Sequence, residues 1–409
     1  MRLKITFTAF LLCAYISTNS QEISDTSFGK GLINFTAKDS SFSIKFAPRF
    51  QVRSESSWNH DGNQYGSPEH TFIVRRARLK FDGFAYSPKL KYKLELGLSN
   101  RDVSGANDFN RDTPNIILDA VIMWNFAENF ELWAGQTKLP GNVERVVSSA
   151  NLQLIDRSLL NSRFNIDRDL GIQLRHKTNL GNHFLMREKF AISQGEGRNT
   201  SEGNRGGLQY TGRLEFLPFG EFQSKGDYVQ ADLKREATPK LMLAATYNFN
   251  QDAVRERNGL GDYMFNDAGT SLYETDIETI FVDAMFKHKG FSFMGEYAQR
   301  NANNPIAKNS DGTLATGSGG ELTESIVLTG DALNLQAGYL FKTNYEIAGR
   351  YTTVNYEAIT GNLPQKQYTL GVSKYIVGHK LKVQSDLSHT TVDGMEDNIT
   401  FRLGFDIHF

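Results

Sequence analysis

The stretch Arg75-Arg76-Ala77-Arg78-Leu79-Lys80 places four positive charges within six residues. If it is extended, Arg76, Arg78 and Lys80 share one face at about 6.6 Å spacing. A second basic group follows in one later segment: Lys138, Arg145, Arg157, Arg163 and Arg168. Others are scattered: Arg49, Arg53, Lys91, Lys93, Arg175, Arg187, Arg213, Arg350, Lys382 and Arg402. A guanidinium donates two parallel hydrogen bonds, keeps its charge at any working pH and is weakly hydrated, which suits oxyanions. A row of weak sites hands an anion along rather than trapping it. The bland alternative is pairing with the acids that occupy matching positions, among them Asp82, Glu95, Asp119, Glu131, Glu215, Glu296, Glu346, Asp386 and Asp406.

No other chemistry is written in the chain. The eight histidines are dispersed, and no C-x-x-C, G-x-S-x-G, P-loop or dinucleotide fingerprint occurs. Asp108, Asn110 and Asp112 have calcium-loop spacing, but Thr113 stands where glycine is needed and Pro114 follows, so a surface loop is expected. No metal, cofactor or nucleic-acid partner is expected, and no enzyme activity.

The elements that carry these residues alternate with period two. In 42–53, Phe42, Ile44, Phe46, Phe50 and Val52 interleave with Ser43, Lys45, Arg49, Gln51 and Arg53. In 399–409, Ile399, Phe401, Leu403, Phe405, Ile407 and Phe409 interleave with Thr400, Arg402, Gly404, Asp406 and His408. The pattern recurs along most of the chain, which means strands with two unlike faces. Full charges of both signs lie on the polar face, and short connections such as Tyr86–Lys89 alternate with long ones such as 138–168. Long loops alternating with short turns is the connectivity of a transmembrane barrel. Pro218 and Pro239 bound a segment expected to stay on the periplasmic side as an irregular excursion. Sixteen strands, eight loops and seven turns then remain.

The predicted fold is therefore all-β: a sixteen-stranded antiparallel transmembrane β-barrel with long extracellular loops and short periplasmic turns. In hydrocarbon every backbone polar group needs a protein partner, so the sheet must close. Closure at that size leaves an aqueous interior, with apolar faces toward lipid and charged faces toward water. Trp124, Trp133, Tyr247, Tyr297, Tyr339 and Tyr345 are expected in the interfacial girdles.

The ends and the composition agree. Arg2 and Lys4 precede the apolar run Ile5 to Ile16, too short for a spanning helix, and small residues follow, so 1–20 reads as a signal peptide. Residues 21–40 are expected to be a periplasmic lead and 41–409 the barrel. The only cysteine, Cys13, lies in the signal, and Leu12 before it argues against lipid anchoring. Without residues 1–20 the chain has forty-three basic and forty-six acidic residues, so any anion preference must come from local placement. Mean hydropathy is −0.42.

Three stretches, TFIVRRARLKFDGFAYSPKLKYKLELGLS (71–99), GQTKLPGNVERVVSSANLQLIDRSLLNSRF (135–164) and DRDLGIQLRH (167–176), resemble the phosphate-selective porin O and P family. The final LGFDIHF is similar to an outer-membrane assembly signal. The resemblance implies a trimeric porin in the outer membrane of a Gram-negative bacterium, in contact with membrane lipid. It also implies a third loop, 138–168, folded into the lumen, and passive diffusion of small inorganic anions including phosphate or polyphosphate. On that reading the anion pathway comprises Arg75, Arg76, Arg78, Lys80, Lys138, Arg145, Arg157 and Arg168. The alternatives are a weakly selective general porin and an outer-membrane barrel enzyme such as a lipase. The enzyme would need a Ser–His pair on the lipid face, where His389 is the only histidine the alternation places inside a strand.

Overall fold

The computed structural model describes residues 27–103, 115–181, 183–200, 205–269, 271–315 and 325–409. The signal segment and the Asp108-Asn110-Asp112 loop lie outside the described residues. Sixteen antiparallel strands form one closed ring. They are β1 (Arg49–Asn59), β2 (Glu69–Ala85), β3 (Ser87–Gly97), β4 (Ile117–Ala127), β5 (Phe130–Lys138), β6 (Arg168–Asn179), β7 (Leu185–Ser193) and β8 (Gln209–Leu217). The ring continues through β9 (Lys240–Ala253), β10 (Thr275–His288), β11 (Phe291–Ala302), β12 (Gly330–Leu340), β13 (Tyr345–Tyr356), β14 (Gln365–Val377), β15 (Leu381–Val392) and β16 (Asn398–His408). Each strand pairs with its neighbours in sequence, and β16 closes on β1 with Asp406 opposite Gln51 and Phe405 opposite Val52. Inside that seam Arg49 Nε donates to Asp406 Oδ1 at 2.9 Å.

Period-two alternation sorts the side chains as the closed sheet requires. On β16, Phe401 and Phe405 are exposed outward while Arg402 and Asp406 are buried inside. On β9, Leu243 and Tyr247 face out, and Met242, Thr246 and Asn248 face in. Ladders join every neighbouring pair of strands around the ring, which is how a closed sheet meets the demand of hydrocarbon.

Three details depart from the sequence reading. The alternation over 42–53 is two strands, because Pro48 has no N–H for a continuous ladder. Phe42–Phe46 pairs with the lower end of β2 and carries a further short strand, Ile33–Thr36, on its other edge, so the barrel proper begins at Arg49. Trp133 is not a girdle residue. It shares parity with Glu131, sits opposite Gln173 and stacks under the Arg175 guanidinium, 3.6 Å from the ring centre. Residue type alone suggests an interfacial tryptophan, but position in the alternation turns it inward.

The third departure concerns 218–239. It forms no strand, as expected, but it turns back into the barrel mouth. Asp227, Gln230, Ala231, Asp232 and Glu236 are buried. Lys287 Nζ donates to the carbonyls of Val229 (2.7 Å) and Ala231 (2.5 Å), and the Gln230 carbonyl lies 2.9 Å from His379 Nε2. The interior is therefore not a uniform water-filled pipe. Lumen-facing side chains on the β8–β13 wall, such as Thr211, Asn248, Thr279, Asn334 and Thr352, are fully covered.

Placing a charge on the outward face tests the assignment of sides. Leu370 is 61% exposed near the middle of β14. Leu370→Arg is expected to cost about 2–4 kcal/mol at the bilayer midplane. Unfolding followed by heat-modifiable gel mobility in lipid should show the loss; an unchanged transition would contradict the orientation.

Candidate functional site

The segment between β5 and β6, residues 139–167, is built from short capped pieces. Helix α1 (Val143–Val146) ends in carbonyls that would otherwise lack partners. Lys138 Nζ donates to the carbonyls of Arg145 (2.7 Å), Val146 (3.2 Å) and Val147 (3.2 Å). Arg157 adds bonds from Nε to the Glu144 carbonyl (2.9 Å) and from Nη2 to the Val147 carbonyl (2.7 Å). Helix α2 (Leu159–Phe164) starts at Ser158, whose hydroxyl accepts from Asn161 N at 3.1 Å. Its Leu160 and Phe164 pack in an apolar cluster with Phe281, Ala298, Ala332 and Val354 of the wall. Gln153 Nε2 donates to Ser292 Oγ (2.7 Å) and Glu346 Oε1 (2.6 Å), and Lys382 Nζ donates to the Leu152 carbonyl (2.8 Å). These partners stand on β11, β13 and β15, far around the ring from β5 and β6.

Asp156 holds the turn of this segment against β1 and β2. Its carboxylate pairs with Arg53 and lies 3.3 Å from Arg75, 3.7 Å from Arg76 and 3.6 Å from Arg402. The Asp156 carbonyl accepts from Arg350 Nη1 at 2.8 Å. Burial alone would push this carboxyl up, but the Arg75, Arg402, Arg53 and Arg76 guanidiniums outweigh it and hold it well below the usual carboxylate range. Arg75 reaches Asp156 because β2 has a bulge. Gln51 pairs with Arg76 and Val52 with Val74, so Arg75 is the extra residue and joins Arg76 inside.

Beside this knot lies a cavity of about 380 Å³. Eleven basic and four acidic side chains line it, so the wall carries a large positive excess. Seven of the eight residues expected from sequence are there: Arg75, Arg76, Arg78, Lys138, Arg145, Arg157 and Arg168. Lys80 is not; its ammonium pairs with Asp82 at 2.9 Å, and both are half-buried. Four more basic residues, Lys93, Arg101, Arg175 and Arg198, complete the lining. Arg101 and Arg198 come from other loops, and no local pattern marked them.

The cations differ in what they leave free. Arg78 makes two 2.8 Å bonds to Asp102 and one of 3.1 Å to Glu95. Arg168 forks onto Asp119 at 3.2 and 3.1 Å, and Arg145 binds Asp167, with Nε to Oδ1 at 2.6 Å. Among the described residues Arg157 donates only to carbonyls, and burial with the like charge of Arg145 pushes it down to about 9, still cationic at neutral pH. Among the described residues, Nε of Arg75 and of Arg76 has no partner. Of the scattered cations, Arg213 forks onto Asp283 at 2.7 and 2.8 Å, and Arg187 meets Glu215 at 2.8 Å. For those two the bland reading holds.

On the outer face, His389 meets Asp397 at 3.0 Å. Ser56 Oγ lies 2.8 Å from His70 Nδ1, a pairing the alternation did not reveal. Among the described residues no carboxylate partners His70.

The knot yields a prediction. Asp156→Asn leaves four guanidiniums without their shared counter-ion, and removing one member of a buried pair costs about 3–5 kcal/mol. The variant should give larger, noisier single-channel currents at pH 7. A depressed carboxyl contributes stability above its unfolded pKa of about 3.9 and loses it only as pH falls through the still lower folded value. Wild-type currents should therefore stay quiet from pH 8 to about pH 4. Identical traces from the two proteins would refute the tether.

A family profile described as phosphate-selective porin O and P matches residues 50–399. No curated protein sequence matches the chain. Among solved structures, an anion-selective porin from Comamonas acidovorans aligns with a TM-score of 0.53 at 13% identity, covering 90% of this chain and 100% of that one. The outer membrane channel DcaP of Acinetobacter baumannii aligns at 0.53 and 12% identity, covering 91% and 99%. OmpF of Salmonella typhi, in complex with daunomycin, aligns at 0.54 and 13% identity, covering 92% and 100%. Such identities carry the fold alone. With its profile match running from the first barrel strand to the last, this chain belongs to the phosphate-selective porin O and P family and is a β-barrel of the outer membrane.

Proposed function

We propose that the barrel passes small inorganic anions, phosphate or polyphosphate among them, by passive diffusion through a path narrowed by the inward-folded loop 139–167. The observation that carries this reading is the lining of the 380 Å³ cavity, eleven basic residues against four acidic ones. A low-dielectric wall with that excess concentrates anions, and guanidinium N–H groups without protein partners replace part of an anion's hydration shell. Arg75, Arg76, Arg78, Arg145, Arg157 and Arg168 are the pathway residues on this account, and Lys138 supports them by closing the end of α1. Lys80 contributes its charge outside this cavity. The chain's resemblance to this family implies a homotrimer, and the proposal includes it.

A second reading, a weakly selective general porin, is favoured by the pairing of Arg78, Arg145 and Arg168 with carboxylates. An outer-membrane lipase is favoured by nothing beyond the isolated Ser56–His70 contact.

Inorganic phosphate block of chloride current in planar bilayers separates the first two readings. Phosphate should reduce the current at millimolar levels. Arg75→Gln should raise the half-blocking concentration about tenfold, as for loss of one charge-assisted bond of about 1.5 kcal/mol. Chloride current indifferent to phosphate would leave only the general porin.

A further inference from the structure

A second cavity of about 780 Å³ lies next to the basic one, toward the turn at Glu128 and Asn129. Its outer wall is the barrel, with Trp133, Arg187 and Lys189. Its inner wall is the inserted segment, with Phe222 and Tyr228. The two cavities share Trp133, Val146 and Arg175, so these three residues stand at the waist between two adjoining rooms. Their chemistry differs sharply. Five basic and four acidic residues line the lower room, which is close to neutral, and it holds the aromatic rings of Trp133, Phe222 and Tyr228.

Arg175 at the waist is the unusual group. Its guanidinium lies over the Trp133 indole, 3.6 Å from the ring centre. Among the described residues its one hydrogen bond runs from Nη2 to Gln173 Oε1 at 2.7 Å, and its Nε is buried without a partner. Among the described residues no carboxylate comes within 4.0 Å of it, whereas Arg187 in the same room binds both Glu215 and Asp227. The acid opposite Arg175 on the ladder, Glu131, accepts instead from the Trp133 indole N–H at 2.9 Å, so this half-buried cation has no direct carboxylate partner and keeps a demand for an anion, with a flat surface that continues a stack.

We propose that this waist binds small organic anions in which a phosphate or carboxylate is joined to a flat aromatic ring. The head lies against Arg175, drawn by the basic room above. The ring lies in the lower room among Trp133 and Tyr228. The volume is ample, since small-molecule sites run to about 300–1,000 Å³. This goes beyond the preference for inorganic anions, which rests on the upper room alone, because it makes the inserted segment 218–239 a wall of a second specificity site. Trp133 and Arg175 are then the residues that choose between organic and inorganic anions.

The test compares blockers of the chloride current through the full-length protein in planar bilayers. Phenyl phosphate should half-block at a concentration about tenfold below that of inorganic phosphate. Cyclohexyl phosphate, with the same head on a puckered apolar body, should be at least about threefold weaker than phenyl phosphate. Trp133→Leu should raise the phenyl phosphate value about fivefold, toward the low end of stacking on an aromatic side chain, and leave inorganic phosphate within about twofold. Equal potency of the phenyl and cyclohexyl compounds in the wild type would overturn the proposal without any variant having to fold. So would equal shifts for both anions in Trp133→Leu. Block by phenyl phosphate alone, with none by inorganic phosphate, would sink the phosphate-passage reading and uphold this one.

Discussion

One carboxylate among four guanidiniums organises the interior of this barrel. Asp156 sits at the turn of a loop that leaves the wall between β5 and β6, and it meets Arg53, Arg75, Arg76 and Arg402 on β1, β2 and β16. Four like charges on adjacent strands would repel one another in a half-desolvated space. The acid brought in by the loop, together with Glu55 at 3.1 Å from Arg53 and Asp386 at 2.6 Å from Arg402, offsets much of that repulsion and leaves a positive remainder. The same contact thus fixes the loop and sets the sign of the field beside it. Glu55 and Asp386 stand on the wall strands themselves and temper the field; Asp156, carried by the loop, is the acid of this cluster that tethers it.

The consequence is an asymmetric lumen. Loop 139–167 and segment 218–239 meet inside, where Gln230 N donates to the Asn151 carbonyl at 3.0 Å and Gln153 N donates to Gln230 Oε1 at 2.8 Å. Together they cover one wall of the barrel with hydrogen bonds and packed apolar groups such as Val143, Leu152, Phe222 and Met285. Open space is left along the β2–β7 side, and the unpaired cations face it. A wide ring of strands is needed to hold such a partition, which is a reason for sixteen strands where a smaller barrel would be filled by its own side chains.

Much of this was legible in the sequence because bilayer physics permits few solutions. Alternation, the rhythm of short and long connections and the count of sixteen follow from the need to satisfy every backbone group. Seven of the eight candidate cations meet in one cavity because strand parity and the length of the third loop already brought them near each other. What stayed hidden depends on contacts between distant segments. A bulge at Arg75 breaks the alternation without any glycine to announce it. Asp156 reads as one acid among forty-six until the loop is seated. Trp133 looks like an interfacial anchor until its partner Arg175 is known. The inward turn of 218–239 is invisible, because proline says where a strand stops and not where the chain goes next.

The central claim is that the positive remainder around Asp156 governs what crosses. The most direct measurement is the zero-current potential of the reconstituted channel across a tenfold gradient of potassium chloride. Passage dominated by chloride makes the concentrated side positive, and that is the predicted sign. A concentrated side that turns negative would mean that potassium carries the current and that the cationic wall does not control the path.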